Sequence, residues 1–137
     1  MSLQLDSLRK SIEALERVIK TVNRFDASDE DLQEALRAGV IQNFEVVYEQ
    51  SWKMMERWLE ENVGTVYVNV RSRRELFRRA AESLIITDVD RWMEYHESHN
   101  LTSHTYDEDT AQSVFEDATE FVHDAKRLLR ILEGHND

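Results

Sequence analysis

The sequence predicts an all-α protein, and three observations carry that prediction. The chain has 137 residues with no proline and three glycines, and a chain with so few breakers of regular structure is built mostly of helices. Apolar residues recur at alternating spacings of three and four over long stretches, the period of an amphipathic helix. The one run that alternates apolar and polar residues as a strand would, 65–71, has no second run to pair with and reads as an extended connector.

The elements follow in order. Leu5, Leu8, Ile12, Leu15, Ile19 and Val22 form the seam of a first helix that ends near Phe25. Ser28 followed by Asp31 has the spacing of a capping box and opens a second helical stretch through Leu32 and Leu36. Gly39 is placed to break or bend it. Val40, Phe44, Val47, Tyr48, Ser51, Trp52, Met55 and Leu59 then give a wide apolar face up to about Val63, with Gly64 as the C-terminal cap. Ser72 with Glu75 is a second capping box, behind which Leu76, Phe77, Ala80 and Leu84 line the inner side of a short third helix. Thr87 and Asp90 start a fourth, which carries Trp92, Met93 and Tyr95. After the polar stretch from His99 to Tyr106, the residues Ala111, Val114, Ala118, Phe121, Ala125, Leu128 and Leu132 keep strict helical spacing in a long last helix ended by Gly134. Acidic residues at its start, Asp107, Glu108 and Asp109, and basic ones near its end, Lys126, Arg127 and Arg130, follow the helix macrodipole. The expectation is three long helices and two short ones in a single domain over 1–137.

Composition narrows the function classes. Hydrophobic residues at 41% and charged residues at 33% describe a soluble globular domain, and no stretch approaches the roughly 20 uncharged residues of a membrane span. The absence of cysteine excludes disulfides and thiolate metal sites. Met1 leads into Ser2-Leu3-Gln4-Leu5-Asp6 without the apolar core of a signal peptide, so a cytoplasmic location is expected. A net charge of -11 argues against a general binder of nucleic acid or anionic membranes. One segment runs against that average: residues 71–79 hold five arginines against one glutamate.

Three constellations can carry chemistry. In Phe44-Glu45-x-x-Tyr48-Glu49-x-x-Trp52-Lys53 the charged residues Glu45, Glu49 and Lys53 fall one helical turn apart beside an aromatic stripe. They form either an exposed core edge or carboxylates that grip a partner or polar ligand. Between Trp92 and Asp107 lie three of the five histidines, His96, His99 and His104. A metal held by His96 and His99 with Glu94 or Asp107 is conceivable, but no standard zinc spacing is met and no metal is assigned. Two histidines near one phosphodiester would also serve as acid and base in RNA cleavage. Arg71, Arg74 and Arg78 share an outward stripe, either a solvated face or a dock for a phosphate-bearing ligand or an acidic patch.

Taken together, the Phe44 to Lys53 pattern, Trp92, and Asn100-Leu101-Thr102-Ser103-His104-Thr105-Tyr106-Asp107-Glu108 resemble the nucleotidyltransferase substrate-binding protein family. That family is a branch of the HEPN (higher eukaryotes and prokaryotes nucleotide-binding) superfamily, and the resemblance covers essentially the whole chain. It implies an antiparallel up-down four-helix bundle with one or two extra short helices. It also implies a homodimer that associates, as a hetero-tetramer or otherwise, with a separately encoded minimal nucleotidyltransferase. The chain would be an accessory, substrate-binding subunit, not catalytic alone and holding no cofactor. The nucleoside triphosphate and Mg would be on the partner. Glu45, Glu49, Trp52, Trp92, Asn100, Arg74 and Arg78 are its candidate substrate- or partner-binding residues.

In related toxin–antitoxin pairs the HEPN protein is a metal-independent ribonuclease, silenced when the transferase adds AMP to a tyrosine of an Arg-x4-His-x-Tyr motif. Laid onto this sequence, the motif's His is His104, its Tyr is Tyr106, and its Arg position is occupied by His99. An Arg is a permanent forked cation, whereas a neutral imidazole offers one donor. Ribonuclease activity through His104 and His99 is therefore expected to be weak or lost, with Tyr106 kept as an AMP-acceptor candidate. RNA is a partner only under this alternative.

Overall fold

The computed structural model describes residues 3–25, 28–64 and 72–135, and the connector expected at 65–71 lies outside them. Among the described residues the chain is helical and has no strand. The helices are α1 (Asp6–Arg24), α2 (Glu30–Asn62), α3 (Arg73–Glu82), α4 (Val89–Asn100) and α5 (Glu108–Gly134), with a 3-10 turn at Thr102–His104 between the last two. No described helix is long and apolar enough to cross a membrane.

Side-chain pairs fix the directions of the helices. Ser11 Oγ lies 3.1 Å from Gln50 and Val18 faces Gly39, so α1 and α2 run antiparallel. Arg9 pairs with Glu133 and Lys126 with Glu16, so α5 is antiparallel to α1. Ser98 donates to Asp117 and Tyr95 to Asp124, so α4 is antiparallel to α5. These four helices form the up-down bundle, and α3 is the extra short helix packed against α4 and α2. The cross-section is flattened. The diagonal helices α2 and α5 run parallel and touch along their length, from Arg37 and Gln112 at one end, through Phe44 and Phe121, to Trp58 and His135 at the other. The other diagonal pair, α1 and α4, makes no contact among the described residues.

The core follows the expected seams. Leu8, Ile12 and Leu15 of α1 are buried, as are Ala111, Val114, Ala118, Phe121, Ala125, Leu128 and Leu132 of α5, and all belong to one hydrophobic cluster. Burying side chains of this size contributes about 1.5–3 kcal/mol for each large one. Phe121 is its aromatic hub, with ring centroids of Phe44, Tyr95 and Trp92 at 5.2, 4.9 and 5.5 Å in edge-to-face geometry.

The structure corrects four local expectations. α2 is capped by Asp29, whose carboxylate accepts from Leu32 N at 3.0 Å, and α4 by Asp88, which accepts from Arg91 N at 3.0 Å. In each case a neighbouring Asp displaces the expected Ser28 or Thr87, because a carboxylate accepts the bond and also complements the positive helix end. Gly39 does not break α2 but sits inside it, where a Cβ would meet Val18 Cγ1 at an ordinary 3.5 Å. Leu84 is not an inner residue. α3 stops at Glu82, Leu84 takes a left-handed φ of 63° with 77% of its surface exposed, and Ile85 is buried in its place with its N–H on Ala80 O. No glycine announces that stop. The caps at Ser72, accepting from Glu75 N, and at Gly64, with φ 109°, stand as read.

Candidate functional site

α2 carries Tyr48, Glu49, Trp52 and Lys53 on adjoining turns, and α4 lays His96 and His99 against Tyr48 and Glu49, with Asn100 one turn beyond His96. The Tyr48 hydroxyl and His96 Nδ1 are 2.7 Å apart. Burial pushes the Tyr48 phenol well above its ordinary range, so it stays protonated and donates. Burial, followed by the charge of Arg73 and the nearby His99 ring, holds His96 below its usual value, so the imidazole accepts as the neutral ring. Its proton then sits on Nε2, which lies 3.4 Å from the Asn100 carboxamide. His99 is fixed by different partners. Its Nε2 is 3.2 Å from Glu49 Oε1, Lys53 Nζ is 3.7 Å from Glu49 Oε2, and its ring centroid is 4.7 Å from that of Tyr48. Beside this pair the Arg73 guanidinium lies 3.5 Å over the Trp52 ring.

The α4–α5 turn is built differently. Thr102 Oγ1 donates to His99 O at 2.8 Å, His104 N to Leu101 O at 2.9 Å, and Asp107 caps α5 by accepting from Thr110 N at 3.0 Å. The bonds from Thr110 hold the Asp107 carboxyl below the usual carboxylate range. His104 and Tyr106 stand out from this frame, their ring centroids 6.2 Å apart in edge-to-face orientation and Tyr106 87% exposed.

The expected site residues therefore separate into groups. Glu49 and His99 meet where α2 packs on α4, Asn100 joins them only through His96 on its own helix, Trp52 lies one turn beyond Tyr48 under Arg73 of α3, and half-buried Glu45 lies one turn before Glu49. Trp92 does not join them, because it is 3% exposed and packs between Phe77, Tyr95 and Phe121. Arg74 and Arg78 are exposed on α3, Arg74 at 3.7 Å from Asp90, and Arg71 lies outside the described residues. The metal arrangement does not assemble: His96 and His99 are taken by Tyr48 and Glu49, Glu94 pairs with Arg91 at 3.0 Å, and Asp107 caps α5. Among the described residues no group of three potential ligands could hold an ion. Sequence reasoning passed over Arg73 as a separate feature. Its signal was a cation in the first turn of a helix, where the macrodipole is unfavourable to it.

The flattened up-down bundle thus holds a polar, aromatic-backed cluster between two of its helices, and its sequence and fold are similar to those of known proteins. The family described as "Nucleotidyltransferase substrate binding protein like" matches residues 3–134, and the chain belongs to that family. It is similar to a Haemophilus influenzae protein named probable ribonuclease HepT, at 33% identity over 98% of this chain and 94% of the relative. A solved Haemophilus influenzae structure, described as revealing the fold of a substrate binding domain of a nucleotidyltransferase, superposes with a TM-score of 0.88. The match has 33% identity and covers 95% of this chain and 99% of the other. A Thermus thermophilus crystal structure shares the fold at TM-score 0.75 and 24% identity, over 91% of this chain and 98% of the other.

Proposed function

We propose that this chain is the accessory, substrate-binding subunit of a separately encoded minimal nucleotidyltransferase. The observation that carries the reading is the pre-assembled cluster between α2 and α4. Tyr48 and His96 are already hydrogen-bonded, and Glu49 already holds His99. Side chains locked by one another before a ligand arrives lose little entropy when it binds, which suits recognition. The family description and the related substrate-binding domain support the same assignment. Nucleoside triphosphate and Mg belong to the partner in this reading, and Glu45, Asn100, Arg74 and Arg78 lie on surfaces open to substrate or partner. Co-expression with the transferase should give a stable complex whose transfer activity exceeds that of the transferase alone. Transfer by the purified chain alone, or no complex at all, would sink the assignment. The chain by itself is expected to scatter light as a homodimer, about twice 16.2 kDa.

Two observations favour a second reading. Tyr106 is 87% exposed in a turn, accessible to a modifying enzyme, and the relative from Haemophilus influenzae is named as a probable ribonuclease. In this reading His104 is the general acid/base, His99 stands at the motif Arg position, and AMP transfer to Tyr106 silences the activity. Expression without the partner would arrest growth and His104→Ala would abolish the arrest. Toxicity retained in His104→Ala would exclude this reading. The exposed setting of His104 weighs against it, because acid–base catalysis draws much of its strength from groups held in place and shielded from water.

A further inference from the structure

The arginines around the start of α3 are not equivalent. Arg74 faces Asp90 at 3.7 Å, and Arg79 is held by Glu75 at 3.1 Å and Glu82 at 3.8 Å. Arg73 has no such partner. Its guanidinium carbon lies over the Trp52 ring, 3.5 Å from the centroid, its Nε is shut off from water without a hydrogen bond, and no carboxylate pairs with it among the described residues. The residue is only partly buried, so the terminal nitrogens reach solvent. A guanidinium stacked on an indole is fixed by its face and keeps its N–H edge for hydrogen bonding. In a chain of net charge -11, a guanidinium that no carboxylate among the described residues has claimed can take an anion from outside.

The neighbourhood fits an anion of a particular kind. The charge of Arg73 reaches both Tyr48 and His96, the two residues at the centre of the cluster. The Nε2–H of His96 and the Asn100 carboxamide are neutral hydrogen-bonding groups on the same side of α4, and Lys53 lies 5.6 Å from the Trp52 ring. The nearby carboxylate, Glu49, is engaged by His99 and Lys53. Glu97 also acts on His96, but from an exposed position on α4. A forked, permanent cation with neutral donors beside it matches the tetrahedral oxygens of phosphate, which take paired N–H bonds.

We propose that Arg73, stacked on Trp52, grips the phosphate group of a ligand bound between α2, α3 and α4. The proposal names the residue and the ligand group for the site assigned above and rests on that reading.

Binding of AMP and of inorganic phosphate to the full-length chain, by calorimetry and tryptophan fluorescence, tests it. AMP should bind, phosphate should compete with it, and Arg73→Gln should weaken both by roughly ten- to hundredfold. Arg73→Lys should fall between, because it keeps the charge and loses the fork. Arg130→Ala on α5 should match the parent protein. Circular dichroism of Arg73→Gln checks that the fold is kept. AMP affinity unchanged in Arg73→Gln, AMP binding that phosphate does not displace, or no binding of either probe at millimolar concentration overturns the proposal. Complex formation with the transferase should survive Arg73→Gln. Failure of the parent protein to form that complex would remove the accessory-subunit reading and leave the phosphate measurement standing.

Discussion

His96 and His99 lie on the last turns of α4, hydrogen-bonded into α2, whereas His104 and Tyr106 follow in a turn that leaves them exposed. In sequence they form one polar stretch. The first pair is backed by the aromatic core through Tyr48, whose ring faces Phe44 and Phe121. The second pair is held by the hydrogen bonds of the turn and the cap of α5. The difference separates two physical jobs that a linear motif runs together: a rigid surface fit to recognise a ligand, and an accessible one fit to be reached by another protein.

Breaking the anchor gives the largest effect. Phe121→Ala removes the ring against which Phe44, Tyr48, Trp92 and Tyr95 pack, and should cost about 3–5 kcal/mol in urea unfolding. Histidine NMR signals should shift at His96 and His99 far more than at His104. A stability loss under 1 kcal/mol would show that the cluster does not lean on this core.

Asp107→Ala acts on the other region. It removes the cap bonds to Thr110 N and Oγ1 and should cost about 1 kcal/mol. Faster hydrogen exchange should be confined to the turn and the first turn of α5, leaving the amides of His96 and His99 protected. Exchange spreading into α4 would mean that the two regions are coupled.

Acidity gives a smaller and more selective effect. The folded His96 titrates below its ordinary value of 6.5, so between those two values the unfolded chain binds a proton that the folded chain does not. Its contribution is full above pH 6.5 and declines as pH falls below it. The carboxylates held low by their partners, Glu16 with Lys126 and Asp107 with Thr110, lose their contribution only in the more acidic carboxylate range. His96→Gln should therefore flatten the stability profile just below pH 6.5. An unchanged slope would assign that proton uptake elsewhere.

The smallest stability change belongs to Tyr106→Phe. The residue is 87% exposed, so unfolding should move by less than about 0.5 kcal/mol. If Tyr106 accepts AMP from the partner, the same substitution abolishes the mass gain. A mass gain that survives would place the modification on another residue.

The framework was legible because its signal is redundant. The α1 and α5 seams repeat over many turns, and a single misplaced residue does not hide the period. Caps and stops rest on one residue each. Where Ser28 precedes Asp29, or Thr87 precedes Asp88, spacing does not decide between two acceptors, and where Leu84 takes a left-handed backbone without glycine, nothing local marks the end. The site was legible by helix: Glu49 and Trp52 share a stripe of α2, and His99 and Asn100 a stretch of α4. The link between stripes was not. Arg73 reaches Trp52, and His96 reaches Tyr48, across contacts that only tertiary packing creates. The same packing took Trp92 inward, because an aromatic on a helix facing Phe121 gains more from burial than from water.

α2 is the one described helix that touches every other, while α1 touches only α2 and α5. That inequality has a kinetic side. A helix that contacts all the others is the expected element around which the rest condense, with α1 expected to dock last. Val47→Ala in α2 should therefore slow refolding, whereas Ile12→Ala in α1 should leave refolding nearly unchanged and speed unfolding. Equal effects of the two on the refolding rate in stopped-flow would show that the bundle forms without such an order.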